Sequence, residues 1–172
     1  MNEALNVLCT RRSIRKYKPD QISREELDAV IEAGMCAASG KNGQSAIIIA
    51  VQDKETRDEL ARRNAAGMGV KSDTFYGAPP VLIVLADANR RFAVQDGSLV
   101  LGNLMNAAKA IGLGSCWINR AKEVFDSDEG KALLKKWGVE GEWVGVGNCI
   151  LGYPAEDPAM KPRKENYVTY VL

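Results

Sequence analysis

The chain has 172 residues, 26% charged and 46% apolar, and its formal net charge of +1 argues against a nucleic-acid or anionic-membrane partner held by bulk electrostatics. No stretch approaches the roughly 20 apolar residues of a membrane helix, and Met1-Asn2-Glu3-Ala4 lacks the basic start of a signal peptide, so a cytoplasmic protein is expected. Histidine is absent, which excludes Ser-His-Asp and Cys-His catalysis, and Cys9, Cys36, Cys116 and Cys149 match no zinc or iron–sulfur spacing and read mainly as small core residues.

Asn2 to Cys9 reads as a short first helix, with Ala4, Leu5, Leu8 and Cys9 on one face. A basic run from Arg11 to Lys18 follows, and Pro19 discourages a helix there. Ser23-Arg24-Glu25-Glu26 is a capping box opening a helix that should end near Ala38. The loop Ser39 to Gln44 is rich in glycines and amides. Ala46 to Val51 is a continuous apolar, largely β-branched run and reads as a buried strand. Asp53 to Asn64 reads as a charged surface helix, and Ala65 to Gly77 as a loop. Pro80 to Ala86 is a second buried strand.

Arg91 to Ile111 predicts a long helix with Val94, Leu101, Leu104, Met105 and Ala108 inward. Gly97 and Gly102 lie within it, and close packing against another helix would explain them. Gly112-Leu113-Gly114-Ser115 ends that helix and Cys116 begins a third strand. A helix from Glu129 to Trp137 and a fourth strand from Trp143 to Leu151 follow. Gly145 and Gly147 leave part of that strand bare for close backbone approach. The tail carries Lys161-Pro162-Arg163-Lys164 and ends in the strand-like Tyr167 to Leu172. Alternating helices and strands argue an α/β or α+β domain spanning residues 1–172.

Two basic clusters sit far apart in a nearly neutral chain: Arg11, Arg12 and Arg15 near the start, Lys161, Arg163 and Lys164 near the end. Guanidinium forks suit phosphate oxygens, and Ser13 adds a hydroxyl. In an extended segment Arg11, Ser13 and Arg15 point the same way and would converge on one ligand. The alternative is a solvated charge run. No Rossmann fingerprint or P-loop is present, so any bound phosphate falls to the arginines. Asn42 and Gln44 each offer a donor and an acceptor, which suits a flavin's pyrimidine edge or, equally, ordinary turn chemistry. The glycines of residues 112–115 read either as a helix C-cap or as bare backbone beside a flat ring.

Together these segments resemble the nitroreductase family of flavin-mononucleotide enzymes. The resemblance rests on residues 11–17, 38–44, 76–80 (Tyr-Gly-Ala-Pro-Pro), 107–118 and 161–163, in order, from residue 8 to about 164. It implies an α+β fold with a central mixed, mainly antiparallel sheet flanked by helices. It also implies a homodimer whose C-terminal strand is exchanged with the partner subunit. The implied cofactor is FMN, with NADH or NADPH as co-substrate in a ping-pong hydride transfer through flavin N5 to a nitroaromatic or quinone.

By the same resemblance Arg11, Ser13, Lys161 and Arg163 hold the phosphate, with Arg12 beside them. Arg15 lies toward the ribityl chain and stabilises negative charge at the ring. Asn42 and Gln44 meet the ring, from the same or the other subunit, and Gly114 and Ser115 lie along it by backbone contact. No side chain serves as nucleophile or acid–base catalyst, and no metal is implied. Ser45 and Ala46 replace the proline and aromatic common in the family, and a Pro-Glu-Gly segment and a helical insertion of larger members are absent, so this is a compact, bacterial-type version. Rival readings are a dehalogenase or enone reductase on the same fold, a flavin-binding redox sensor with little turnover, and a structural protein with basic surface clusters. The first is another flavin reaction; bleaching of bound flavin by NADH separates an enzyme from the second, and a colourless protein that ignores flavin favours the third.

Overall fold

A computed structural model describes residues 1–172. Six helices and four strands follow one another as α1 (Glu3–Thr10), α2 (Arg24–Met35), β1 (Ala46–Val51), α3 (Lys54–Met68), β2 (Val81–Asp87), α4 (Ala93–Ala110), β3 (Gly114–Ile118), α5 (Ala121–Asp126), α6 (Asp128–Lys136) and β4 (Trp143–Gly152). A single 3-10 turn, Gly40–Asn42, interrupts the loop between α2 and β1.

The sheet is built around β2, whose residues Val81 to Ala86 are fully buried. Strand order is β1-β2-β4-β3, and every pairing is antiparallel. The expected parallel component reduces to one bridge between Ser13 and Ser115 on the outer edge of β3. Alternation along β2 divides the core in two. Val81, Ile83 and Leu85 face α3, α5 and α6, with Phe75 and Phe125. Leu82 and Val84 face α2 and α4, with Leu101 and Leu104.

Local signals explain most element boundaries. The Ser23 hydroxyl accepts from Glu26 N–H at 3.1 Å while Glu26 accepts from Ser23 N–H at 2.8 Å, so the capping box closes as the sequence predicts. The helix it opens stops at Met35, three residues before Ala38. Conversely α3 continues to Met68, through Asn64. Asn64 is fully buried, donates to Thr74 Oγ1 at 3.1 Å and accepts from Asn148 at 3.3 Å, so it is a core amide rather than a helix stop.

The bare positions of β4 are filled by neighbours. The register slips at Val146, a bulge that puts Gly145 and Gly147 on opposite faces. A Cβ at Gly145 would meet the Ala121 backbone of α5 at 2.3 Å, and one at Gly147 would meet Trp117 Nε1 at 2.5 Å.

The long helix departs from expectation at two points. Val94 is half exposed rather than inward. Gly97 packs within the chain, where a Cβ would meet Val146 at 2.5 Å, whereas Gly102 faces open space. Of the four cysteines only Cys116 and Cys149 are buried. Beyond Pro154 the tail forms no helix or strand, and Tyr167 to Leu172 is exposed. No helix is long and apolar enough to cross a membrane.

Candidate functional site

Three distant segments meet at the C-terminal end of α4. The first is the basic run. Arg11 is still the C-cap of α1, its N–H donating to Val7 O at 2.9 Å. The chain then extends and is pinned on both sides. Ile14 N–H donates to Ser115 O at 3.0 Å, Lys18 N–H to Tyr153 O at 2.9 Å and Ala155 N–H to Lys16 O at 2.9 Å. The second segment is the turn from α4 into β3, where Gly112 adopts φ 85°. Gly114 admits the basic run because a Cβ there would stand 3.0–3.1 Å from Ile14. The third is the chain just after β4, Pro154 to Asp157.

These segments enclose a cavity of about 260 Å³ lined by Thr10, Arg11, Arg12, Lys109, Gly114 and Glu156, among others. Arg11 lines this cavity, and its Nη1 is buried without a hydrogen-bond partner. A buried guanidinium donor left unpaired is costly, and an anion in the cavity would satisfy it. Arg12 is already engaged, donating to Arg11 O at 2.6 Å and Cys9 O at 3.0 Å and so closing the end of α1. Glu156 accepts from Arg15 N–H at 2.5 Å. Tyr17 braces the wall, donating to Ile14 O at 2.7 Å. Burial, helped by neighbouring Cys116 and Cys149, pushes its phenol well above the ordinary range.

The cradle gathers only some of the residues the sequence singles out. Arg11, Arg12, Gly114 and Ser115 line it; Ser13 and Arg15 do not. Arg11 is a helix cap, so strand alternation begins only after it, and residues 11 and 13 lie on either side of a helix-to-strand corner. Ser115 is buried and its hydroxyl donates to Met105 O at 3.4 Å, turned into α4, so it offers the cavity backbone. Lys161 and Arg163 do not reach this cavity within one chain; both are exposed on the unpaired tail. Lys109, Glu156 and Asp157 line it without having been singled out. Their one sequence signal is a lysine in the last turn before Gly112.

Asn42 and Gln44 lie at the other end of α4. Both are exposed and stand side by side, Gln44 Nε2 to Asn42 Oδ1 at 3.5 Å. The loop backbone is strained: Lys41, Asn42 and Gln44 adopt φ of 55°, 51° and 45°. Its ends are tied to Asp96, in the first turns of α4. Beside it opens an apolar cavity of about 390 Å³ lined by Met35, Gln44, Ile47, Ile48, Asp96 and Val100, among others.

Asp96 and Lys109 are 13 positions apart on α4, about 20 Å along its axis. The cradle and the anchor of the amide loop are thus separated by most of the helix.

Comparison with known proteins shows the family and the fold. The model of the nitroreductase family matches residues 8–153. The chain is 28% identical to the FMN reductase [NAD(P)H] of Bacillus subtilis, covering 95% of this chain and 70% of that one. A nitroreductase with bound FMN from Bacteroides fragilis superimposes with a TM-score of 0.90 at 30% identity, over 100% of both chains. A nitroreductase with bound FMN from Desulfitobacterium hafniense gives the same TM-score at 26% identity, again over 100% of both chains.

Proposed function

The chain belongs to the nitroreductase family, and from that membership and the orphaned guanidinium of Arg11 we propose how it works. It is an FMN-dependent NAD(P)H oxidoreductase. When bound, FMN supplies the chemistry, accepting hydride from NADH or NADPH and passing two electrons to a small acceptor such as a nitroaromatic or quinone. The protein supplies a cradle and a charge pattern.

Arg11 holds the phosphate from the cradle wall, and its Nη1 has no partner in the chain itself. Lys109 and Arg12 add positive charge, and Gly114 and Ser115 offer bare backbone along the ring. Ser13 and Arg15 lie toward the ribityl chain, where the Arg15 cation offsets negative charge on the reduced ring. Lys161 and Arg163 complete the phosphate site once the tail is ordered by a partner.

That partner is a second copy. On this reading Asn42 and Gln44, at the far end of α4, serve the flavin held by the other subunit, two amides against its alternating N–H and C=O edge. The outer edge of β1 is unpaired, and Ile47 to Ile49 there are only half-buried. The exposed, strand-like run Tyr167 to Leu172 has the length to add to it as an exchanged strand. The whole chain, residues 1–172, acts as one flavin-binding domain in the cytoplasm.

Arg11 Nη1 carries this reading, and colour tests it. Purified protein should bind FMN, and anaerobic NADH or NADPH should bleach its visible band, with a nitroaromatic restoring it. A protein that binds FMN but does not bleach is a sensor, and one that ignores FMN is neither.

A further inference from the structure

We propose that Asp96 is a positioning residue for the flavin ring, acting through the amide loop of residues 40–45; this rests on the functional reading above. Asp96 is 5% exposed, yet it belongs neither to the cradle nor to any ion pair. Both of its oxygens are used. Oδ1 accepts from Gly40 N–H at 2.8 Å and Oδ2 from the buried Ser45 hydroxyl at 2.7 Å. One carboxylate thus ties down both ends of a six-residue loop.

The loop between those ties needs holding. Three of its residues, none of them glycine, adopt left-handed backbone, a conformation that persists only where the surroundings impose it. Further ties complete the frame: Gln44 N–H donates to Ser39 Oγ at 3.1 Å, Arg90 reaches Gly43 O at 3.4 Å, and Asp87 N–H donates to Ser45 O at 2.9 Å. None of these ties engages the side chains of Asn42 and Gln44. They project from the strained tip, and their only mutual contact uses Gln44 Nε2 and Asn42 Oδ1. Asn42 Nδ2 and Gln44 Oε1 remain free. One donates and the other accepts, the complement of a carbonyl beside an imide N–H. Carboxylate, strained tip and free amide pair form one device, whose rigid end is a helix and whose working end carries two hydrogen-bonding groups.

The test separates ring contacts from phosphate contacts. FMN and inorganic phosphate are titrated against the wild type, Asp96→Asn, Ser45→Ala, the pair Asn42→Ala/Gln44→Ala, and that pair combined with Asp96→Asn. Asp96→Asn is expected to weaken FMN about 5- to 10-fold, near the upper range for one neutral hydrogen bond, and to leave phosphate affinity unchanged. It should reproduce the visible-band shift of the amide double variant. Added to that double variant it should lower affinity by less than about twofold, because residues acting through one another are not additive. Ser45→Ala, which leaves Asp96 in place, should weaken FMN about 2- to 3-fold and serves if Asp96→Asn does not fold. The proposal is overturned if the folded variants bind FMN as the wild type does, if phosphate weakens as much as FMN, or if the effects add. Wild-type protein that binds phosphate but not FMN overturns the functional reading itself, with the cradle left intact.

Discussion

The two ends of α4 carry opposite designs. At its C-terminal end, three segments of one chain converge on a walled cradle with a buried, unpaired guanidinium donor. At its N-terminal end, a strained loop projects two amides outward with nothing in the same chain to receive them. The first end is complete as a pocket and incomplete as a charge balance; the second is complete as a frame and incomplete as a pocket. A single helix of 18 residues sets their separation. On the proposed reading, a second copy brings its loop to this chain's cradle, and the active unit is a pair.

The largest expected effect comes from removing the tail that the proposed dimer and phosphate site share. Deleting residues 156–172 removes the proposed exchanged strand together with Lys161 and Arg163. The shortened chain should run as a monomer in light scattering and lose FMN on gel filtration. Its cradle, relieved of Glu156 and Asp157, should still bind inorganic phosphate. A truncated chain that remains a yellow dimer would mean that the cradle and loop communicate without the tail.

Next is Arg11→Ala. Losing one charge-assisted bond costs about 1.5–3 kcal/mol, so FMN affinity should fall about 10- to 150-fold by fluorescence titration. Thermal stability of the FMN-free protein should hold or rise, because a buried donor without a partner is removed. A variant that loses stability but keeps affinity would make Arg11 a structural residue. At the other end Asn42→Ala and Gln44→Ala should each weaken FMN by about 2- to 10-fold, the span of one neutral hydrogen bond, with phosphate binding untouched.

Much of the first design is legible in sequence, and less of the second. Arg11 stands out as the first arginine of a basic run, and Gly112 to Ser115 as bare backbone. The apolar run of β2 and the capping box at Ser23 identify their elements because each rests on local chemistry. What escapes depends on distant geometry. Lys109 joins the cradle only because α4 ends where it does, and Asp96 matters only because the loop after α2 folds back 56 residues to meet it. Helix α5 has six residues and starts from Arg120 at φ 81°, with no capping side chain to announce it. The proposed pairing of the tail depends on a second chain, which the strand-like run of residues 167–172 cannot locate.

The smallest effect sharpens how the tail is aimed. Tyr153 lies where β4 gives way to the tail, and its hydroxyl donates to Glu26 Oε2 at 2.8 Å. Glu26 is held below the usual carboxylate range, first by the Ser23 N–H of the capping box and then by this phenol. The phenol is in turn raised by the same bond. A carboxylate with a lowered folded pKa contributes stability above its unfolded value of about 4.3, and loses it as pH falls through the folded value. Tyr153→Phe should therefore lower Tm at pH 7 by a small amount, on the order of 1–2 °C. The gap between wild type and variant should close as pH falls through the lowered folded value, below which both carry a protonated Glu26. A gap that persists in acid would mean that the ring's packing, and not its bond to Glu26, anchors the exit of the tail.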